Sequence, residues 1–269
     1  MTIHNILMRE KEVEKVEERL LVEFGVEENI KRKYGYEEKL LRFKGESIPY
    51  KAIVKNGELK AIVSRKYRLI TNEEVIDIVR AWARSRGYEY NVDVNGNKVF
   101  VLVKNEDIGV LVGNSIDGTM GLFVDAVIYT NGVPLILRMS NDVKELKQVK
   151  KKHFRSAEGV MENLMGMLSE VIDECKEYKA WLRDMGKVKV KDVKDDVKEL
   201  FSLMPKKYVA DVIKRVEYSF DNGHLTLAHV YEDIARRIWS ADTQMTTKIH
   251  LFRELNENVM FIMELVRQG

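Results

Sequence analysis

The spacing of apolar residues divides the chain into a short helical start, a long strand-rich middle and a helical end. Val13, Val16, Leu20 and Phe24 recur at three- and four-residue intervals among charges, which predicts an amphipathic helix closed by Gly25. A second short helix is expected over 37–43, before Gly45. From Ile48 the pattern shortens. Runs over 48–55 and 59–64 flank Asn56-Gly57, a strong hairpin signal. Thr71 or Asn72 then precedes Glu73, Glu74 and the periodic Val75, Ile76, Val79 and Trp82, the order of cap, acidic first turn and apolar stripe that begins a helix. Gly87 ends it.

Further strands follow. Runs over 88–94 and 98–104 flank Asn95-Gly96, and 109–113 leads into Asn114-Ser115-Ile116-Asp117-Gly118. Runs over 119–130 and 133–139 flank Asn131-Gly132. In the first of these, Met120, Leu122, Val124, Ala126 and Ile128 share one face, and Phe123, Val127 and Tyr129 fill much of the other. A strand apolar on both faces is covered on both, by core on one side and by a helix or another subunit on the other. Beyond Asn141 the period is helical, over about 142–185, 190–204, 206–220, 226–240 and 243–266, with Pro205 and Asn222-Gly223 as breaks.

These elements predict an α+β protein: a mixed, largely antiparallel sheet with helices on one face, followed by a helical C-terminal part. The expected organisation is an N-terminal helical segment over 1–45, a sheet-rich core over 46–157 and a helical part over 158–269.

Composition narrows the class. Hydrophobic residues make up 45% of the 269, enough for a core, and charged residues 33%. Glutamines are few (Gln148, Gln244, Gln268) and there is one cysteine, a mixture expected of a thermophilic source, archaeal or viral. A net charge of +2 means that any cationic surface is local and offset elsewhere. Cys175 alone can form neither an intrachain disulfide nor a cysteine-based zinc site, and its neighbours Val171, Ile172 and Tyr178 predict a buried thiol. No apolar run approaches the roughly 20 residues of a membrane span, and 1–10 lacks the apolar core of a signal peptide. A cytoplasmic protein without membrane partners is expected.

An ordered series of motifs carries a family resemblance. Ala61-Ile62-Val63-Ser64 is followed by Lys66-Tyr67-Arg68 and Thr71-Asn72-Glu73-Glu74, then Asn114-Ser115-Ile116-Asp117-Gly118, then Arg138-Met139-Ser140-Asn141, with His153 about a dozen residues on. This order resembles the phage- and plasmid-associated family 932 of domains of unknown function. It covers roughly 47–157, with Leu225-Thr226, Val230-Tyr231 and Ile234 extending it loosely. Ser140 stands where that family carries cysteine, and Asp142 where it carries a small or apolar residue. The resemblance implies association with mobile elements and supplies no activity.

Two features are candidates for function. Asn114, Ser115, Asp117 and Gly118 read as a turn, because such residues bond their own backbone or accept positive φ. The resemblance keeps a ligand or phosphate site open beside that reading. The densest basic stretch is Lys144, Lys147, Lys150, Lys151, Lys152 and Arg155, opposed only by Glu145. On a helix, Lys144, Lys147, Lys151 and Arg155 share a face while Val143, Leu146 and Val149 hold another, so the cations could neutralise successive phosphates. A plain lysine-rich surface explains the same row. Arg65, Lys66 and Arg68 around Tyr67 add an aromatic among cations, a pairing suited to stacked single-strand bases, and Arg138 lies beside the basic row.

Other constellations are weaker. His153, next to Phe154, reads as a packed or surface histidine, and His224 with His229 is one ligand short of a metal site. Glu73-Glu74 and Glu232-Asp233 suit helix-end electrostatics. Phosphate loops and a nucleophile elbow are missing from the sequence. Met161, Met165 and Met167 with Leu164 and Leu168 belong to a core helix or a subunit contact.

The sequence therefore predicts a non-enzymatic nucleic-acid-binding protein with no cofactor and no metal, working on single-stranded DNA as a homo-oligomer in annealing or recombination. One alternative is a structural or regulatory protein whose surface is the apolar strand and the Met-rich helix. Another is a metal-dependent hydrolase built on Asp117, Asn114 and His153.

Overall fold

The computed structural model describes residues 24–138, 158–218 and 224–268. The expected helix ending at Gly25 lies outside them up to residue 23, as do 139–157, which contain the Lys144 to Arg155 row, Ser140 and His153. The class is α+β, and its strands form two sheets in simple sequential order. The first contains β1 (Phe24–Lys31), β2 (Tyr36–Phe43), β3 (Glu46–Lys55) and β4 (Glu58–Ser64), all antiparallel. The second contains β5 (Glu89–Asn95), β6 (Lys98–Asn105), β7 (Ile108–Ser115), β8 (Phe123–Thr130) and β9 (Val133–Leu137). Helix α1 (Asn72–Ser85) separates β4 from β5 in the chain.

The tight turns follow local chemistry. Asn56-Gly57 and Asn131-Gly132 have both residues at positive φ, as the predicted two-residue hairpins need, and Lys44-Gly45 does the same without an asparagine to announce it. In the third predicted hairpin β5 runs on through Asn95, so the turn is Gly96-Asn97, one residue later than expected. At α1, Thr71 is the cap. Its Oγ1 accepts from the Glu74 amide at 3.2 Å and Glu74 Oε2 accepts from the Thr71 amide at 2.9 Å, a reciprocal capping box.

Two compact units emerge. The first takes in Met1–Val75 with Asn95–Lys98 and Asn114–Gly121; the second takes in Ile76–Val94, Val99–Gly113 and Leu122–Gly269. The consecutive blocks expected from the sequence do not coincide with these units, because the first unit recruits two later segments.

In the first unit the helix expected over 37–43 is strand β2. Glu, Lys and Leu favour a helix there, but burial alternates, with Tyr36, Glu38 and Leu40 buried and Glu37 and Lys39 half-buried. Glu38 can occupy a buried position because Lys51 Nζ donates to it at 2.8 Å and Arg32 Nε at 3.2 Å. That compensation comes from β3 and from the residues before β2, so no local pattern reveals it. Pairing shifts at Leu40/Arg42 and Ile53/Val54 add bulges that twist the sheet. One face carries the core of Tyr36, Ile53, Val63 and Ile116. The other carries Leu41, Ala52 and Val54, with Ile48 packed against them.

In the second unit β6, β7 and β8 are buried along most of their length. Helix α2 (Glu158–Met185) packs on β8. The strand expected over 119–130 begins only at Phe123, and a helix covers it, one of the two coverings expected. The Cys175 thiol of α2 lies 3.6 Å from the Gly109 carbonyl, is fully buried, and is pushed up to about 11 by burial. Leu164, Met167 and Leu168 are buried too, so the Met-rich helix and the apolar strand are core. Phe123 lies over Gly113, its register partner, where a Cβ would meet the ring at 2.3 Å. The helical end comprises α3 (Lys194–Ser202), α4 (Lys206–Tyr218), α5 (Leu227–Ser240) and α6 (Met245–Gln268). Asn256 of α6 joins it to the sheet: its amide donates to the Ile136 and Arg138 carbonyls at 3.0 and 2.9 Å, and Tyr231 Oη donates to its Oδ1 at 2.6 Å.

The buried pair in the first sheet sets a stability prediction. Lys51→Met leaves Glu38 with only the half-exposed Arg32 and is expected to cost about 3 kcal/mol, whereas Arg32→Ala costs under about 1 kcal/mol. Adding Glu38→Leu to Lys51→Met should recover most of the loss. Urea unfolding of the four proteins measures this, and equal losses for Lys51→Met and Arg32→Ala would contradict it.

Candidate functional site

Residues from four separate stretches meet within the first unit. The loop after β4 runs Arg65-Lys66-Tyr67-Arg68, and its backbone is pinned by Arg65 N–H to the Pro49 carbonyl at 2.8 Å and Tyr67 N–H to the Ser64 carbonyl at 2.8 Å. Arg65, Lys66 and Arg68 are exposed, and Arg65 Nη1 donates to Ser47 Oγ at 3.1 Å. Tyr67 takes the opposite course. Its ring packs with the core cluster and over Gly118, and its hydroxyl donates to the Ser115 carbonyl at 3.1 Å. Burial, with the Asp117 charge adding to it, pushes the phenol up to about 12. The aromatic among cations is thus an inward anchor, and the stacking role expected for it gives way to one of fixing the loop.

The 114–118 string is hydrogen-bonded throughout. Asn114 and Ser115 end β7 and are buried. Asn114 Nδ2 donates to the Ile70 carbonyl and to Asn72 Oδ1, both at 3.0 Å. Asn72 Nδ2 donates to the Asn97 carbonyl at 3.1 Å, which also accepts from Ile116 N–H at 3.0 Å. Asn97 Nδ2 reaches the Lys60 carbonyl at 2.9 Å and Asp117 Oδ2 at 3.4 Å. Ser115 Oγ donates to the Met120 carbonyl and accepts from its amide, at 2.8 and 2.9 Å. Asp117 Oδ1 accepts from the Thr119 amide at 3.0 Å and hydroxyl at 2.7 Å, and Gly118 follows at φ +72°. This is the turn reading, extended by an amide relay that runs Lys60, Asn97, Asn72, Asn114, Ile70.

Asn72 and Asn97 were not singled out by sequence. Asn72 resembled a helix cap and Asn97 a hairpin flank, and the one-residue shift of that turn is what aims Asn97 at Lys60 and Asp117. A second unforeseen cluster joins Tyr36, Lys55 and Glu73. Lys55 Nζ pairs with Glu73 Oε1 and lies 4.8 Å from the centre of the Tyr36 ring. Burial raises the Tyr36 phenol, and the hydrogen bond to Glu73 raises Lys55. The pair fastens the first turn of α1 to β3.

The remaining candidates lie elsewhere. Arg138, in the second unit, is stacked 4.2 Å over Phe123 and paired with buried Asp125 at 3.2 Å, so its guanidinium serves the end of β9. Lys144, Lys147, Lys150, Lys151, Lys152 and Arg155 are outside the described residues, as is His153. Asn114 and Asp117 face different partners. Among the described residues, no three His, Cys, Asp or Glu side chains are grouped to hold a metal, and no helix is long and apolar enough to cross a membrane. His229 is used at a helix start, where its Nδ1 accepts from the Thr226 amide at 3.1 Å.

Compared with known proteins, the chain matches no family model, no curated protein and no solved structure. The resemblance to family 932 rests on the motifs alone.

Asp117 supplies a titration test. Burial works to raise its carboxyl, but the hydrogen bonds from Thr119, Ser115 and Asn97 outweigh it and hold the group below its ordinary value. A depressed folded pKa stabilises the fold above the unfolded value and loses that contribution as pH falls through the folded one. Thr119→Val should therefore move the Asp117 carboxyl upward in an NMR titration and narrow the acid side of the stability profile. An unchanged titration would refute the assignment.

Proposed function

We propose that this protein binds single-stranded nucleic acid without chemistry of its own, serving a mobile element or its host as an oligomer in strand annealing or protection. The observation that carries this reading is the anchored loop. Three exposed cations, Arg65, Lys66 and Arg68, stand within four residues on a backbone fixed by Tyr67 and by the Pro49 and Ser64 carbonyls. Cations on a pre-fixed backbone lose little freedom on meeting phosphates, and phosphate neutralisation releases counterions irrespective of sequence. The Lys144, Lys147, Lys151 and Arg155 row supplies further charge at helical spacing. The motif order shared with a phage- and plasmid-associated family supports the mobile-element setting. The amide relay in this reading holds the loop and does not touch the ligand.

Affinity for a single-stranded oligonucleotide should fall steeply with salt. Replacing Arg65, Lys66 and Arg68 together by Ala should lower the slope of log K against log salt by about 2, since each single-strand phosphate contact contributes roughly 0.7. A slope unchanged by the triple substitution, or near zero in the parent protein, would overturn the assignment. Tyr67→Phe separates anchor from stacking platform: it should cost about 1 kcal/mol of stability through the lost bond to Ser115 and leave base stacking intact. Tyr67→Ala should destabilise further, and a Tyr67→Ala protein that folds normally but loses affinity would restore the stacking role.

A further inference from the structure

The first sheet leaves one face incompletely covered. Tyr50, Leu59 and Ile62 are 49%, 57% and 57% exposed, the large apolar residues so exposed among the described part of the first unit. Ile62 pairs with Ala52 and Leu59 with Val54, so they lie on the face of the Leu41, Ala52 and Val54 cluster, opposite the Ile53 and Val63 core. Tyr50 and Ile48 share that face by the two-residue period of β3. Aliphatic side chains dominate the strip, which suits a protein segment better than bases.

We propose that the N-terminal segment of this same chain, residues 11–22, docks on that strip as an amphipathic helix through Val13, Val16 and Leu20. Three observations select this occupant. The chain enters the sheet at Phe24, which pairs with Phe43, which in turn pairs with Glu46, so the segment arrives at the end of the sheet where Ile48 and Tyr50 lie. Twelve helical residues reach about 18 Å, against about 14 Å from β1 across to β4, so the segment can span the sheet and cover Ile62. Its charges also fit: Glu12, Glu14, Glu17, Glu18 and Glu23 outnumber Lys11, Lys15 and Arg19, while Lys31, Lys39 and Lys66 border the strip. The inference stands apart from nucleic-acid binding.

Thiol labelling of the full chain tests it. Cys175 is buried and serves as an unreactive background. With Ile62→Cys, labelling by a soluble disulfide reagent should be slow, and adding Val16→Asp and Leu20→Asp should accelerate it by about tenfold or more, as a docked cover that opens locally requires. Val94→Cys, at a position 59% exposed in the second unit, should label fast in both backgrounds. The milder Val16→Ala with Leu20→Ala should give an intermediate rate, which keeps the test decisive if the aspartate variant misfolds. The proposal is overturned if Ile62→Cys labels as fast as Val94→Cys in the parent chain, meaning an open face. It is equally overturned if protection grows with protein concentration alongside a dimeric mass in light scattering and ignores the Val16 and Leu20 changes, meaning a second copy.

Discussion

Three asparagine side chains determine how the first unit closes. Asn97 from a hairpin turn, Asn72 from the start of a helix and Asn114 from the end of a strand bond one another in series, and the ends of the series are backbone carbonyls of Lys60 and Ile70. Asparagine suits this task because one side chain both donates and accepts, and a buried amide is stable only when both capacities are met. Each bond alone contributes about 1 kcal/mol net, but the loss of any one strands polar groups belonging to the others. The relay positions Asp117 and the Ser115 carbonyl, and the carbonyl positions Tyr67 and its cationic loop.

The loop shows how one short sequence serves two environments. Arg65, Lys66 and Arg68 face water while Tyr67, between them, reaches the core. Aromatic and cationic residues side by side suggested a shared ligand; in the fold the tyrosine fixes the backbone and the cations keep the exposed surface. Arg138 is a counterexample of the same kind, a cation drawn inward by Asp125 and Phe123 rather than offered to a partner.

What the sequence made legible was local. Asn56-Gly57 and Asn131-Gly132 bend the chain where they stand, Thr71 and Glu74 cap a helix within four residues, and the helical end follows its own apolar period. What it hid depended on distant partners. Strand β2 looked helical because Glu38 looked solvated, and only Lys51 and Arg32 make its burial tolerable. The turn of β5 and β6 moved by one residue because Asn97 has bonding partners in two other stretches. The 114–118 turn was recognisable, while its link to Asn72 and Asn97 was not, since three ordinary asparagines far apart in the chain carry no mark of a common network.

The first unit is assembled from pieces separated along the chain, and this has a bearing on synthesis. Its four strands leave the ribosome early, but Asn97 and then Asn114, Ile116 and Asp117 follow only after α1 and most of the β5 to β7 strands have been made. During that interval the Tyr36, Ile53 and Val63 surface lacks its last apolar member, and the Ile70 carbonyl lacks its donor. The nascent sheet must therefore wait, with an unfinished core, for residues that belong to it but arrive late. A polypeptide truncated before Gly121 carries every strand of that sheet yet lacks the complete set of parts that closes it.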